Sequence, residues 1–490
     1  MAPFPFSRDQ LPLKLFINNE YVPCKNTQTI AVHNPKDGSL VADNVPIGGE
    51  EDVEAAVEAA EKAFPSWRNM PSPKRRDMMF KLAALIDEHA EVLSELTRIT
   101  LGAPYKTAGN YELGLGTETL RYYAGWIDKF AGESFPQDND GFLKIVHHEP
   151  LGVCAAITPW NGPMATFGMK AGPALATGNC LILKPSEKTP FASLALGHLI
   201  KEAGFPPGVF QIISGDGSTG ALLASHMRVR KISFTGSVAT GKKVQEMATR
   251  SNLKRVTLEL GGKSPAVIFD DCNLENAVEW AANSITINTG QVCIAGSRVY
   301  VQDGIYDAFI EKYKQAFQDR TKAVGDPDNV DTALGPLVDE LQFSRVKGFI
   351  ERGQRGQGNL MFGGKQIGNK GYFIEPTIFT DVDSDAEIHR EEIFGPVSVV
   401  KRFKTEEEAI GLSNDTNFGL MAGVFTQDIN RALRVAKAFE SGVVNINCMT
   451  KTAVEGPFGG SKESGHGREG GIHGLRAYTE PKTIIINLNN

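Results

Sequence analysis

Between residues 150 and 270 the chain alternates short apolar runs with glycine- or proline-rich turns that open onto helical stretches. The apolar runs are Val153 to Ile157, Cys180 to Leu183, Phe210 to Ile213, Ile232 to Phe234 and Val256 to Leu260. Strands that apolar must be covered on both faces, and alternation with helices makes the cover a layer of helices on each side of a parallel sheet. A second α/β region runs from about 265 to 460. The first hundred residues read as amphipathic helices. Val53, Ala56, Val57, Ala60 and Phe64 form one stripe, which Pro65 is expected to end because proline has no N–H with which to continue the helix. Near residue 133 the texture changes. Asp140-Gly141 marks a hairpin turn between Glu133-Ser134-Phe135 and Phe142 to Val146. The tail from Thr483 to Leu488 is a strand too apolar to remain a free edge, so it should pair with that hairpin or with another subunit.

Length and charge narrow the function. A chain of 490 residues exceeds what one simple core supports. A net charge of -7 and a pI near 5.8 argue against a nucleic-acid partner. No apolar run has the length of a membrane helix, and the segment from Met1 to Arg8 has no leader pattern, so the expected compartment is the cytoplasm. The six cysteines (24, 154, 180, 272, 293 and 448) include no C-x-x-C pair and no histidine partner at metal spacing, a reduced distribution with no metal site expected. His147-His148 reads as a solvated strand pair.

Two glycine motifs are incomplete. Gly215-Asp216-Gly217-Ser218-Thr219-Gly220 follows a strand and opens a helix, but no acidic residue ends the next strand to hold a ribose. Gly236-Ser237-Val238-Ala239-Thr240-Gly241-Lys242-Lys243 falls one residue short of a Walker A loop, with Lys243 where a magnesium-binding hydroxyl belongs. What survives is general: a glycine turn at a helix start aims N–H groups at an anion. On the strand to Leu260, Val256, Leu258 and Leu260 share one face, so Glu259 points to the other, beside Gly261-Gly262. Cys293 follows a helix read over 273–288 and broken by Thr289-Gly290, which places its thiol on an irregular segment among small residues.

Thr158-Pro159-Trp160-Asn161, Lys184-Pro185-Ser186-Glu187, Glu259-Leu260-Gly261-Gly262-Lys263, Glu391-Glu392-Ile393-Phe394-Gly395-Pro396 and Pro457-Phe458-Gly459-Gly460 occur in this order with Cys293 among them. Over nearly its whole length the chain thereby resembles the NAD(P)-dependent aldehyde dehydrogenase superfamily, in its hydrolytic, non-CoA-acylating branch. The resemblance implies an α/β fold of two doubly wound parallel domains plus a small β oligomerisation arm. Residues 1–128 and 149–258 would bind the dinucleotide, 259–461 would carry the nucleophile, and 129–148 with 462–490 would form the arm and C-terminal strand of a homodimer or homotetramer.

The resemblance further implies that Cys293 adds to an aldehyde, that Asn161 and the Cys293 N–H hold the oxyanion, and that Glu259 activates the water which releases the acid. Lys170 and Glu469 match positions that relay protons. The cofactor groove would comprise Ile157, Pro159, Trp160, Lys184, Ser186 and Glu187 on one side. Gly217, Gly220, Phe234, Gly236, Ser237, Thr240 and Gly241 would follow, then Leu260, Gly261, Gln342, Glu392 and Phe394. A carboxylate at Glu187 repels a 2′-phosphate, which favours NAD over NADP. Gly162, Met169, Val292, Ile294 and Phe458 would line the substrate tunnel. Gly162 and Met169 stand where many members carry bulky aromatics, so the expected substrate is a bulky aromatic or terpenoid-like aldehyde. Two rivals are a semialdehyde dehydrogenase that acylates coenzyme A, which usually lacks the hydrolytic Glu, and a non-enzymatic relative.

Overall fold

The computed structural model describes residues 4–136, 138–356 and 358–489. The alternation beginning at residue 150 becomes β1 (Val153–Ile157), α1 (Pro163–Ala176), β2 (Cys180–Lys184), α2 (Phe191–Ala203), β3 (Phe210–Ile212), α3 (Gly217–Ser225), β4 (Lys231–Thr235), α4 (Val238–Ser251) and β5 (Arg255–Glu259). These strands lie parallel in the order β3-β2-β1-β4-β5. The chain therefore winds one way from β1 to β3, then crosses back to β4. At such a reversal the loops leaving β1 and β4 diverge and open a crevice at the C-terminal strand ends. Each strand was legible to within a residue or two, because its residues are buried on both faces and carry a continuous apolar signal.

Segments outside this stretch complete the sheet. Leu15–Ile17 pairs antiparallel with β3, and Gly465–His466 pairs antiparallel with β5. So part of the 462–490 stretch, read from sequence with the arm and C-terminal strand, extends the first sheet. Glu259, the first residue of the stretch that the resemblance gives to the nucleophile, is the last residue of β5.

The second sheet contains β6 (Pro265–Ile268), β7 (Arg298–Gln302), β8 (Asn359–Phe362), β9 (Thr377–Thr380), β10 (Val397–Phe403), β11 (Met421–Phe425) and β12 (Val443–Ile446), in the order β8-β9-β10-β7-β6-β11-β12. All pairings are parallel except that of the edge strand β8. The protein is thus an α/β structure built on two parallel sheets. Between β6 and β7 lies α5 (Leu274–Thr286), whose N-cap Asn273 accepts the Asn276 N–H.

The hairpin and tail form a third, separate sheet. Phe142–Pro150 pairs antiparallel with Glu133–Ser134 on one side and with Thr479–Asn487 on the other. The tail strand thus finds its partner within the same chain, while Phe135, Phe142, Ile485, Ile486 and Leu488 remain exposed.

Two sequence readings are corrected. The helix over Glu50–Arg68 continues through Pro65. Pro65 is exposed, so the carbonyl it leaves unpaired can meet water, and the turn beyond it is held by the fully buried Trp67. Of the histidine pair, His147 is exposed, but His148 turns inward and packs on Phe130 with ring centroids 4.8 Å apart.

Candidate active site

α5 stops at Thr286, and Asn288, Thr289 and Gly290 then adopt positive φ angles of 49°, 55° and 73°. This left-handed run turns the chain sharply and presents Cys293 at the meeting of the two sheets. For the two non-glycine residues the conformation is costly, and side chains offset it. Asn288 Nδ2 donates to the Asn161 carbonyl at 3.2 Å and Thr289 Oγ1 to the Gly335 carbonyl at 2.8 Å. Gln291, fully inside, accepts the Val338 N–H at 2.9 Å and donates to the Asn288 carbonyl at 3.0 Å.

Asn161 leaves β1 on the crevice side and anchors the same loop, its Nδ2 donating to the Gln291 carbonyl at 2.8 Å. From β5 the chain enters Gly261-Gly262, where close approach requires glycine. A Cβ on Gly262 would collide with the Cys293 carbonyl, and one on Gly261 with the Glu392 carboxylate. Glu392 Oε1 accepts the Gly262 N–H at 3.0 Å. A space of about 250 Å³ lies here, lined by Gly262, Gly290, Val292, Ser297, Glu392 and Phe394.

The electrostatics disfavour a free thiolate. Burial, with the Glu392 and Glu259 carboxylates nearby, pushes the Cys293 thiol up to about 12, although the N–H groups of Cys293 and Ile294 pull in the opposite direction. Burial also raises Glu392, to about 7. Glu259 is 3 % exposed and is pushed well above the usual carboxyl range by burial and by the charge of Glu469, with Lys170 and Arg468 opposing. Among the described residues neither Glu259 oxygen has a hydrogen-bond partner. A buried carboxyl left unpaired is destabilising unless another role retains it.

Lys170 from α1 donates to Glu469 Oε1 at 2.7 Å and to Ser233 Oγ at 2.9 Å, all three groups buried. Around the crevice, the Trp160 and Phe394 rings meet edge-on with centroids 5.2 Å apart. Phe394 has φ 59°, and Gln342 Nε2 holds its carbonyl at 2.7 Å, so Gln342 secures this turn. Lys184 is buried with its ammonium 3.7 Å from Glu187; Ser186 Oγ also reaches Glu187, at 3.4 Å. Gly220 faces Ile157 and Lys184, and Gly217 begins α3.

Ser237 caps α4, receiving the Thr240 N–H at 3.3 Å, with Gly241 packed on Leu260 and Gly236 on Phe234. Pro159 lies on the β1 loop with Thr158, whose hydroxyl, like that of Thr235, is buried without a partner among the described residues. This glycine-lined crevice, with a buried amine, orphaned hydroxyls and a capped helix start, fits an extended ligand carrying phosphates.

Gly162 is open, with nothing within 4 Å of where a Cβ would stand. Met169 is half-buried on α1, and half-buried Phe458 pairs through its main chain with Glu469. Val292 and Ile294, expected as aliphatic walls, are half-buried and lean on the core beneath the second sheet, and Val292 also lines the space beside Glu392 and Phe394. Sequence reading missed Gln291, Ser233, Ser464 and Tyr111. Ser464 Oγ ties the Gly261 carbonyl and the Gly419 N–H together. The Tyr111 phenol faces Thr452, and its titration couples to Cys293. Gln291 lies in the run around Cys293 and Ser464 in the block from Pro457 to Gly465, whereas Ser233 and Tyr111 lie in no recognisable local pattern; each of the four acts through a contact distant in sequence.

The Aldehyde dehydrogenase family model matches residues 21–484. Human retinal dehydrogenase 2 is 45 % identical over 479 residues, covering 97 % of this chain and 92 % of that one. Among solved structures, the NAD+ complex of an aldehyde dehydrogenase from Bacillus cereus superposes with TM-score 0.95 at 41 % identity, covering 97 % of both chains. The indole-3-acetaldehyde dehydrogenase of P. syringae, solved with NAD+ and IAA, has TM-score 0.95 at 38 % identity, covering 99 % of this chain and 100 % of that one.

A thiol held near 12 makes a direct prediction for the free protein. Alkylation of Cys293 by iodoacetamide should climb steadily from pH 7 to 10 without a plateau, because the thiolate fraction still grows. Glu392→Gln removes a repelling charge and should accelerate alkylation at a given pH, read by peptide mass spectrometry. A plateau below pH 9 contradicts the assignment.

Proposed function

The chain belongs to the aldehyde dehydrogenase family, an oxidoreductase acting on the aldehyde group, and on that premise we propose that it oxidises a bulky aldehyde to the carboxylic acid with NAD. The observation that carries the mechanism is Glu259, an orphaned buried carboxyl whose charge is felt at the Cys293 sulfur. Burial raises both groups, and the two shifts oppose each other: the poorer acidity of the thiol resists the transfer, while the raised proton affinity of Glu259 and the N–H groups of Cys293 and Ile294 assist it. Sulfur then adds to the carbonyl carbon. An amide nitrogen has two N–H groups; one of Asn161's is committed to Gln291. The other, with the Cys293 N–H, receives the oxyanion, and losing such a donor typically raises the barrier by about 3 kcal/mol.

NAD held in the crevice would supply the hydride acceptor for this oxidation, and Cys293 would carry the resulting thioester. Glu259 next draws a proton from water as its oxygen attacks the thioester; the C–S bond breaks and the acid leaves. The β1–β4 crevice with Lys184, the α3 and α4 starts, Glu392 and Phe394 suits the dinucleotide, and Glu187 beside Lys184 disfavours a 2′-phosphate, hence NAD over NADP. Because Glu259 is present, hydrolysis is favoured over transfer to coenzyme A.

Openness at Gly162 supports a bulky aromatic or terpenoid-like substrate, in keeping with the names retinal and indole-3-acetaldehyde dehydrogenase borne by relatives. The exposed Ile485 and Ile486 on the three-stranded sheet suit burial by a second copy, as homodimer or homotetramer. Six free cysteines suit a reducing, cytoplasmic compartment. Among the described residues no helix is long and apolar enough to cross a membrane.

Cys293→Ala should abolish turnover while NAD still binds by fluorescence quenching. Glu259→Gln should slow steady-state NADH formation by about 100-fold; full activity in that variant sinks the general-base role. On an aldehyde panel, Gly162→Phe should lower kcat/KM at least tenfold for aromatic and terpenoid aldehydes while sparing acetaldehyde. Fastest turnover of acetaldehyde by the parent protein contradicts the substrate reading.

A further inference from the structure

The face of the first sheet beneath α1 carries a polar column. Lys231, Ser233 and Thr235 alternate along β4, and the parallel register Ser233↔Thr257 and Thr235↔Glu259 sets Thr257 and Glu259 on the same side. A sheet covered on both faces is normally apolar there. Ser233 is fully buried, and its hydroxyl uses both of its capacities: it accepts from Lys170 Nζ at 2.9 Å and donates to Glu469 Oε1 at 3.0 Å. Lys170 reaches that same Oε1 at 2.7 Å, which closes a three-membered ring of hydrogen bonds. Both bonds to Glu469 fall on Oε1; among the described residues none falls on Oε2.

Glu469 is placed by its main-chain pair with Phe458, at 2.6 and 2.7 Å. The next residue, Gly459, carries the Glu259 carboxyl against its Cα, so close that a Cβ there would stand 2.6 Å from Oε1 of Glu259. Glu259 and Glu469 are therefore neighbouring carboxyls on one face, and the charge of each is felt by groups shared between them. The ionisable groups turned toward this pair are Lys170 from α1, Tyr123 from the Gly114–Trp126 helix, Lys231 from β4, Cys293 from the loop after α5, and Arg468 and Tyr478 from the C-terminal segment.

We infer that Ser233 is a positioning residue for clearing the proton from Glu259. By helping Lys170 hold Glu469 Oε1, it leaves Oε2, which has no hydrogen bond among the described residues, free to accept. The step balances without any further reagent. Water gives its proton to Glu259 as its oxygen bonds to the thioester carbon, and the C–S bond breaks. That proton then passes from Glu259 to Glu469 Oε2 and on to solvent, returning both carboxyls to their starting state. Without the Ser233 hydroxyl, Lys170 alone holds the carboxyl, which can rotate and offer either oxygen. The inference rests on Glu259 as the base of hydrolysis.

The test uses the full-length protein with NAD and a saturating aldehyde, comparing the parent with Ser233→Ala and Ser233→Thr. Ser233→Ala should leave the first-turnover NADH burst unchanged and lower the aldehyde KM together with kcat, because only the later step is slowed. It should lower steady-state kcat about tenfold, the scale of one lost hydrogen bond to a charged group, and move the rising limb of kcat against pH. Ser233→Thr keeps the hydroxyl and should restore both. A kcat–pH profile for Ser233→Ala superimposable on the parent overturns the inference. So does an equal fall of burst and steady state that Ser233→Thr fails to rescue, which marks a purely structural role. Should Ser233→Ala not fold, Ser233→Cys, a weaker donor of similar size, is held to the same outcomes. Glu259→Gln run in parallel separates the two ideas. If it turns over at the parent rate, the base assignment itself falls; if it is impaired while Ser233→Ala is not, only Ser233 is dismissed.

Discussion

The closest constraint in this protein is the passage from β5 to β6, where five residues, Leu260–Ser264, carry the chain from one sheet to the other. Within that span Gly261 and Gly262 leave room for two things that cannot otherwise approach. These are the Glu392 carboxylate and the Cys293 carbonyl, each filling the place a side chain would occupy. The bottom of the crevice formed by the first sheet and the nucleophile loop of the second are therefore held in contact by main chain. Ser464 reinforces the same spot by bonding the Gly261 carbonyl. Loop strain at Asn288 and Thr289, the orientation of Asn161 and the position of Glu392 all follow from keeping that contact.

The same closeness sets the chemistry. A thiol raised from 9 to about 12 costs about 4 kcal/mol more to ionise. Two N–H groups aimed at the sulfur do not offset burial and two carboxylates. An exposed thiol could give its proton to water; this one needs a base in the same enclosure. In the proposed mechanism Glu259 serves as a base there, since burial raises its affinity for a proton without supplying a partner. Lys170, Ser233 and Glu469 lie behind it on the same sheet face, where a proton can be passed on.

Much of this was written locally in the sequence. Strands β1 to β5 carry continuous apolar runs because both faces are covered, and Asn273 announces its helix through a capping oxygen. Glu259 could be turned to the face opposite Val256, Leu258 and Leu260 from strand periodicity alone. Pro65 misled because a local rule cannot see Trp67 anchoring the following turn. Val292 and Ile294 look like tunnel walls beside a nucleophile, and both are half-buried where they lean on the core of the second sheet. Ser233 gave no signal at all. Its importance comes from Lys170 and Glu469, which lie 299 residues apart and meet only when the tail returns along β5.

The central claim is that a thioester forms on Cys293 and is hydrolysed through Glu259. The most direct measurement is intact-mass and peptide mass spectrometry of the Glu259→Gln protein, quenched in acid seconds after mixing with NAD and an aromatic aldehyde. The account predicts an acyl adduct, of aldehyde mass less two hydrogens, that accumulates on the peptide containing Cys293 because loss of Glu259 slows hydrolysis more than acylation. No adduct in a protein that has already formed NADH, or an adduct on another of the six cysteines, would contradict it.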